Sequence, residues 1–193
     1  MKIGLFGGSF DPPHHGHLIV ARHVREALGL DHVLLVPANR SPHKLDRTPA
    51  HGQHRLAMMH LAVAGDPGFA VSDVEVARGG ISYTVDTLRH LRSGGSGHEL
   101  FFLLGIDNAA DFLLWREPEE ILRLSTVVLM SRAGFGGSAP GLLGDPSVMR
   151  VDVPLIDIRS RDLRARIREG RSIRYLVPDA VERYILSEGL YTS

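Results

Sequence analysis

The chain has 193 residues, a formal net charge of zero and no cysteine, and 44% of its residues are hydrophobic. This length suits one well-buried core and is short for two, so we predict a single domain over residues 1–193. The missing cysteine excludes disulfides, thiolate zinc sites and a cysteine nucleophile, and the balanced charge gives no electrostatic attraction for nucleic acid or an anionic membrane. No apolar stretch approaches a signal-peptide core or a membrane span, and we therefore expect a cytoplasmic protein.

Short apolar runs alternate with amphipathic stretches in the first half of the chain. We predict strands over residues 2–6, 32–36 and 69–77, and helices over residues 16–28, 53–64 and 84–91. The helices follow from apolar residues at helical spacing, and the strands from continuous apolar runs. A polar loop that carries proline is expected over residues 38–49.

The same alternation continues to the end of the chain. Strands are predicted over residues 100–104, 126–130 and 151–156, and helices over residues 119–124, 162–168 and 178–188, with Pro178 at the first helical position. Residues 132–146 are rich in glycine and proline and predict a surface loop. Apolar strands that alternate with helices predict an α/β fold, in which a parallel sheet has helices on both faces and a small helical extension closes the chain.

Parallel sheets of this kind bind ligands at the carboxyl ends of their strands. Three predicted loops lie at that edge, over residues 7–17, 38–44 and 105–107. We expect the chemistry of the protein there.

The first of these loops reads GGSFDPPHHGHL and opens the first predicted helix. Gly7 and Gly8 allow a phosphate to approach the backbone, and Ser9 adds a hydroxyl. The helix start offers free N–H groups and a positive dipole end to an anion. His14 and His17 are three residues apart, so both imidazoles can face the same side of the first turn and donate to phosphate oxygens.

Parts of this string also occur in proteins that bind no phosphate. A glycine-rich turn between a strand and a helix is common in α/β proteins. Three crowded histidines could bind zinc, but the nearby Asp11 precedes two prolines and the HExxH pattern is absent, as is the Walker pattern GxxxxGK[ST]. The complete string is much more specific than its parts.

At this string the sequence resembles the HxGH nucleotidyltransferases, and among them the bacterial nicotinate-nucleotide adenylyltransferases. The resemblance covers nearly the whole chain and includes Pro42-His43-Lys44, the stretch ISYTVDTL from Ile81, Gly105-Ile106-Asp107 with Trp115 following, and GRSIRYLVPDAVERYI from Gly170. It implies a Rossmann-like core, ATP as co-substrate, magnesium carried with the ATP, and a place in NAD synthesis.

The resemblance also implies roles for single residues. Gly7, Gly8, Ser9 and Phe10 would line the ATP site, His14, His17 and Lys44 would meet its phosphates, and Gly105 and Asp107 would border the adenosine. Tyr83 and Thr84 would border the pyridine nucleotide, Trp115 would stack on its ring, and Arg116 could meet its carboxylate. From local chemistry, Lys44 could equally be a solvated lysine, Asp107 a helix N-cap, and Trp115 a core aromatic.

One stretch departs from the family pattern. Members usually carry a Ser-x-Thr motif before the penultimate helix, which supplies hydroxyls to the ATP phosphates. Here Ser160 is followed by Arg161, in the stretch IRSRDLR from Ile158, and an arginine occupies the usual threonine position. The long side chain of arginine could reach phosphate from a more distant backbone position, or it could pair with a surface acid.

The reaction implied is attack by the phosphate of nicotinate mononucleotide on the α-phosphorus of ATP, with pyrophosphate leaving. Nicotinamide mononucleotide or phosphopantetheine are alternative acceptors, and an inactive nucleotide-binding regulator is an alternative of another class. Tyr83, Thr84 and Trp115 favour a pyridine ring, and the intact His14 and His17 favour an enzyme.

Overall fold

The computed structural model describes residues 1–42, 49–94, 97–132, 142 and 144–192. Its strands are β1 (Lys2–Gly8), β2 (His32–Pro37), β3 (Phe69–Val71), β4 (Glu99–Gly105), β5 (Thr126–Arg132) and β6 (Val148–Val153). Its helices are α1 (His15–Leu28), α2 (Gly52–Val63), α3 (Val74–Arg78), α4 (Thr84–Ser93), α5 (Ile106–Ala109), α6 (Pro118–Leu124), α7 (Ser160–Arg168) and α8 (Asp179–Ser187).

Within these described ranges, six strands form one parallel sheet in the order β3-β2-β1-β4-β5-β6. The chain runs outward from β1 to β3, returns to pair β4 with β1, and then runs outward in the other direction. Strand order therefore reverses between β1 and β4, which is the point where such sheets bind ligands. The predicted Rossmann-like α/β fold is confirmed.

Helices cover both faces of the sheet because its central strands are apolar on both sides. On β4, Phe102 and Leu104 pack with Val85 and Leu88 of α4 on one face. The alternate residues Phe101 and Leu103 pack on the other face, where α1 contributes Ala21 and Val24 and α2 contributes Met59. The alternation of side chains along a strand thus produces two separate cores.

A third apolar cluster joins the end of the chain to helix α2. Leu163 of α7 and Val181 and Ile185 of α8 pack against Met58, which lies on α2. This cluster confirms the predicted helical extension. It also places the last helices beside the loops at the carboxyl edge of β1 and β2.

The strand predicted over residues 69–77 is wrong in its second half. Only Phe69–Val71 pairs with β2, and residues 74–78 form α3. The valine-rich run leaves the sheet at Ser72, whose hydroxyl accepts the N–H of Val74 at 3.3 Å. The helix that follows buries Glu75, whose carboxylate accepts the hydroxyl of Thr87 at 2.6 Å.

Two predicted boundaries near the end of the chain are also corrected. The last strand covers Val148–Val153 rather than residues 151–156, because its pairing with β5 begins at Val148 and Pro154 has no N–H to continue it. Pro178 precedes α8 as its cap residue, with φ of −56°, and the first helical residue is Asp179. In the part of the chain that is described, no helix is long and apolar enough to cross a membrane.

Candidate active site

Two cavities open at the carboxyl edge of the sheet, on either side of the point where strand order reverses. Their volumes are about 500 Å³ and about 270 Å³. They share part of their walls, so a ligand in one cavity touches the same loops as a ligand in the other. The shared residues are Phe6, Gly7, Gly8, Ser9, Ala38, Ser41, Gly105 and Asn108.

The predicted site residues that the structure describes line one or both of the two cavities. The larger one is lined by Phe10, His14, His17, Asp107, Ser160 and Arg161 in addition to the shared residues. The smaller one is lined by Tyr83, Thr84, Trp115 and Arg116. Lys44 lies outside the described residues, as does most of the loop predicted over residues 132–146.

His14 and His17 face each other across the first turn of α1. Their rings stack with centroids 3.6 Å apart and an interplanar angle of 20°. The backbone N–H of His14 donates to Nδ1 of His17 at 3.2 Å. Because Nδ1 accepts this bond, the proton of a neutral His17 imidazole is on Nε2, which makes Nε2 a hydrogen-bond donor.

His14 is held in its neutral form. Its side chain is buried, with 5% of the residue exposed, and its Nδ1 has no hydrogen-bond partner. Burial, with a smaller contribution from the charge of His15, lowers the pKa of His14 to about 4. At neutral pH this imidazole can donate one hydrogen bond but brings no fixed positive charge.

Phe10 shapes the turn between β1 and α1. Its φ is +46°, a backbone conformation that is uncommon for a residue with a side chain, and its ring is buried 5.0 Å from the imidazole of His17. A Cβ added at Gly8 would lie 3.0 Å from the Phe10 ring. Glycine at position 8 therefore lets the ring fold back and support His17.

The loops after β1 and β2 are tied together by Arg55, a residue that no sequence motif singled out. This arginine is 1% exposed and donates to the carbonyls of Ser9, Ala38, Asn39 and Ala50 at 2.5 to 3.2 Å. No local signal marks a buried arginine, since its partners come from other segments.

The smaller cavity is mainly aromatic at one end. Trp115 is half-buried and contacts the core, with its ring centroid 6.0 Å from Phe102 and 5.5 Å from Phe112. Because Trp115 also lines the cavity, its ring can pack against the core and still stack on a ligand. The guanidinium of Arg116 lies 4.7 Å from the ring of Tyr83 and 3.6 Å from Asp86.

At the larger cavity, α7 begins against the loop between β1 and α1. The Ser160 hydroxyl donates to the carbonyl of Pro12 at 2.9 Å. Arg161 lines the larger cavity and its Nε lies 3.2 Å from Asp162, with 61% of its side chain exposed. Arg161 therefore pairs with a surface acid while it stays beside the cavity, so both interpretations of this arginine are compatible with its position.

Asp107 is the second residue of α5, and Gly105 is the residue that precedes this helix. The alternative that Asp107 caps the helix is therefore wrong. The described residues contain no group of three or more histidine, cysteine, aspartate or glutamate side chains that could hold a metal ion.

Residues 5–166 match the family described as cytidylyltransferase-like. Probable nicotinate-nucleotide adenylyltransferases are similar along the whole chain. That of Thermomicrobium roseum is 46% identical, with 98% of this chain and 91% of the relative covered. That of Thermus thermophilus is 47% identical, with 99% and 100% covered. The chain therefore belongs to the cytidylyltransferase-like family of nucleotidyltransferases, in the group of nicotinate-nucleotide adenylyltransferases.

The fold is shared with a solved structure of lower sequence similarity. Plasmodium falciparum nicotinic acid mononucleotide adenylyltransferase, complexed with NaAD, superposes with a TM-score of 0.82 at 20% identity. The match covers 98% of this chain and 97% of the other.

Proposed function

We propose that this enzyme transfers AMP from ATP to nicotinate mononucleotide, forming nicotinic acid adenine dinucleotide and pyrophosphate in NAD synthesis. One observation carries the proposal: two cavities share the wall Gly7, Gly8 and Ser9, with a histidine pair on one side and an aromatic surface on the other. Such an arrangement suits two nucleotides that meet at their phosphates. The names of the bacterial relatives support the same acceptor.

The chain's own residues would act by positioning and by charge stabilisation. The phosphate of the acceptor is already ionised at neutral pH, so the attack needs no strong base and no covalent intermediate. His17 would donate from Nε2 to an oxygen that gains charge in the transition state, and His14 would donate as a neutral imidazole. The positive end of the α1 dipole adds a weaker attraction for an anion at the same place.

Magnesium would be bound by the triphosphate, where it neutralises charge on the leaving oxygens. Asp11 belongs to the loop between β1 and α1 and lines the larger cavity, but its carboxylate already accepts from protein donors. Its Oδ1 accepts from the N–H of Ala50 at 3.1 Å and from the hydroxyl of Tyr191 at 2.8 Å. This use of Asp11 favours a metal that arrives with ATP over one held by the protein.

The preference for nicotinate over nicotinamide would come from the smaller cavity. Arg116 lies over Tyr83 at the edge of that cavity, and α4 begins at Thr84, where the end of the helix favours an anion. A nicotinate carboxylate fits these donors, whereas the amide nitrogen of nicotinamide would face donors with its own N–H groups. The backbone N–H of Trp115 does not contribute, because it donates to the carbonyl of Phe112 at 3.0 Å.

Pyrophosphate release tests the proposal directly, with ATP and each of nicotinate mononucleotide, nicotinamide mononucleotide and phosphopantetheine as acceptor. We expect the highest kcat/KM with nicotinate mononucleotide. Equal values for the two pyridine nucleotides would indicate dual specificity, and release with none of them would favour a nucleotide-binding regulator.

The variant Arg116→Gln probes the basis of the preference. Loss of a charge-assisted hydrogen bond should lower kcat/KM for nicotinate mononucleotide on the order of tenfold and leave the value for nicotinamide mononucleotide nearly unchanged. Arg123→Gln is the matched control, since Arg123 pairs with Glu120 on α6 at 2.6 Å. An unchanged acceptor preference in Arg116→Gln would assign the discrimination to other groups.

A further inference from the structure

Asp11 lies in the loop between β1 and α1, the histidine loop, and connects it to three other segments of the chain. It is 7% exposed and lies three residues before His14. Its Oδ1 accepts from the N–H of Ala50, which precedes α2, and from the hydroxyl of Tyr191, near the end of the chain. Its Oδ2 lies 3.5 Å from the guanidinium of Arg164 on α7.

The backbone of the same loop is bound by the helical extension at three points. Arg164 donates to the carbonyl of Asp11 at 2.7 Å, and Ser160 donates to the carbonyl of Pro12 at 2.9 Å. The N–H of His15, the first residue of α1, donates to the carbonyl of Leu176 at 3.1 Å. The segment that presents the histidine pair is therefore held from outside the sheet.

Tyr191 is the most distant member of this group in sequence, 180 residues from Asp11. The turn that carries it follows α8 and is closed by a hydrogen bond from the N–H of Leu190 to the carbonyl of Ile185 at 3.0 Å. Burial raises the pKa of the Tyr191 phenol, and the adjacent Asp11 charge raises it further. The phenol keeps its proton and is a permanent donor to the carboxylate.

We propose that Tyr191 is a positioning residue for adenylyl transfer, which acts through Asp11 to hold the loop of His14 and His17 against the larger cavity. This inference rests on the proposed function. The Tyr191 hydroxyl donates to the Asp11 carboxylate. This carboxylate lines the larger cavity, where the anionic triphosphate would bind. Without the hydroxyl, the carboxylate turns toward Arg164 or toward water, and the backbone on which the histidines depend moves with it.

Truncation of the hydroxyl should affect turnover rather than acceptor binding. Misplacement of catalytic groups by about 1 Å can cost on the order of a hundredfold in rate. Because the other contacts of the loop remain in Tyr191→Phe, we expect a smaller loss, with kcat lowered about tenfold. The KM for nicotinate mononucleotide should stay within about twofold of the wild-type value, because Tyr191 and Asp11 do not line the smaller cavity.

The matched control is Tyr184→Phe. Tyr184 lies in the same helical extension. Its hydroxyl is 2.9 Å from Nδ1 of His54, which lies on α2 and not in the histidine loop. Both variants remove one phenolic oxygen that has one side-chain partner. Tyr184→Phe should keep wild-type kcat, and an equal loss of kcat in both variants would overturn the proposal in favour of general stabilisation of the extension.

A double-mutant cycle with Asp11→Ala tests whether Tyr191 acts through Asp11. If it does, Tyr191→Phe should change kcat by less than about twofold in the Asp11→Ala background, since residues that act on one partner are not additive. A full tenfold effect in that background would overturn the proposal.

Amide hydrogen exchange of the free protein separates this inference from the proposed function. In Tyr191→Phe, the amides of residues 9–17 should exchange faster than in the wild type and in Tyr184→Phe. Unchanged exchange there would overturn the positioning role even in an active enzyme. Faster exchange in a protein that releases no pyrophosphate with any acceptor would reject the proposed function and leave the structural coupling supported.

Discussion

The backbone N–H of His14 donates to Nδ1 of His17 at 3.2 Å, which sets the tautomer of the second imidazole. The same two rings are stacked 3.6 Å apart. A stacked pair is poorly suited to carry two positive charges, and the buried member is neutral. The pair is therefore better described as two oriented neutral donors than as a double cation.

His17→Ala should lower kcat severely while the protein remains folded. Removal of one donor that stabilises developing charge typically costs on the order of a hundred- to a thousandfold. The measurement is the rate of pyrophosphate release at saturating ATP, with unfolding by urea as the test of the fold. His23→Ala, on the same helix but outside both cavities, is the control. Near-native turnover in His17→Ala would contradict the phosphate role.

Gly16→Ala should reduce activity with little effect on stability. The new Cβ would lie 3.0 Å from Nδ1 of His14 and 3.2 Å from Cγ2 of Ile156, so the His14 ring must shift. Overpacking costs about 1–3 kcal/mol, which the higher helix propensity of alanine offsets by about 1 kcal/mol. Kinetics and urea unfolding would be compared with Gly97→Ala, where a Cβ would meet nothing within 4 Å. Wild-type kcat in Gly16→Ala would show that the site tolerates the shift.

The buried His14 should make the folded protein less stable in mild acid. The pKa of His14 falls from 6.5 in the unfolded chain to about 4 in the folded protein, so between these values the unfolded state binds more protons. Its contribution to stability is complete above pH 6.5, declines as the pH falls toward 4, and is lost below it. The full loss corresponds to about 3 kcal/mol.

Urea unfolding of the wild type and of His14→Gln checks this linkage. Between pH 7 and pH 5, the wild type should lose about 2 kcal/mol more stability than the variant. The exposed residue His90 supplies the control, and His90→Gln should follow the wild-type curve. Parallel pH curves for the wild type and His14→Gln would show that His14 titrates normally.

Arg161→Ala should raise the KM for ATP several-fold and leave the KM for the mononucleotide nearly unchanged. Arg161 lines the larger cavity, and its pairing with Asp162 is exposed and therefore weak. A triphosphate offers this guanidinium a stronger, charge-assisted partner. Arg168→Ala, at the other end of α7, is the control. An unchanged KM for ATP would leave Ser160 and the backbone of α7 to meet the phosphates.

The order of apolar and amphipathic segments was sufficient to predict the parallel sheet with helices on both faces. Burial on two faces imposes continuous apolar strands, and this pattern is local. The string from Gly7 to Leu18 likewise predicted the histidine pair, because a separation of three residues on a helix fixes a common face. Both inferences needed no knowledge of distant contacts.

Only the tertiary structure decided which charged groups are buried. No local pattern marks Arg55 or Asp11 as buried. Their burial depends on partners supplied by separate segments, such as Ser9 and Ala38 for the arginine and Tyr191 for the aspartate. A buried charge is stable only when such partners converge on it, and that convergence follows from the path of the whole chain. The sequence therefore determined which loops form the two cavities, and the fold determined what holds the histidine loop in place.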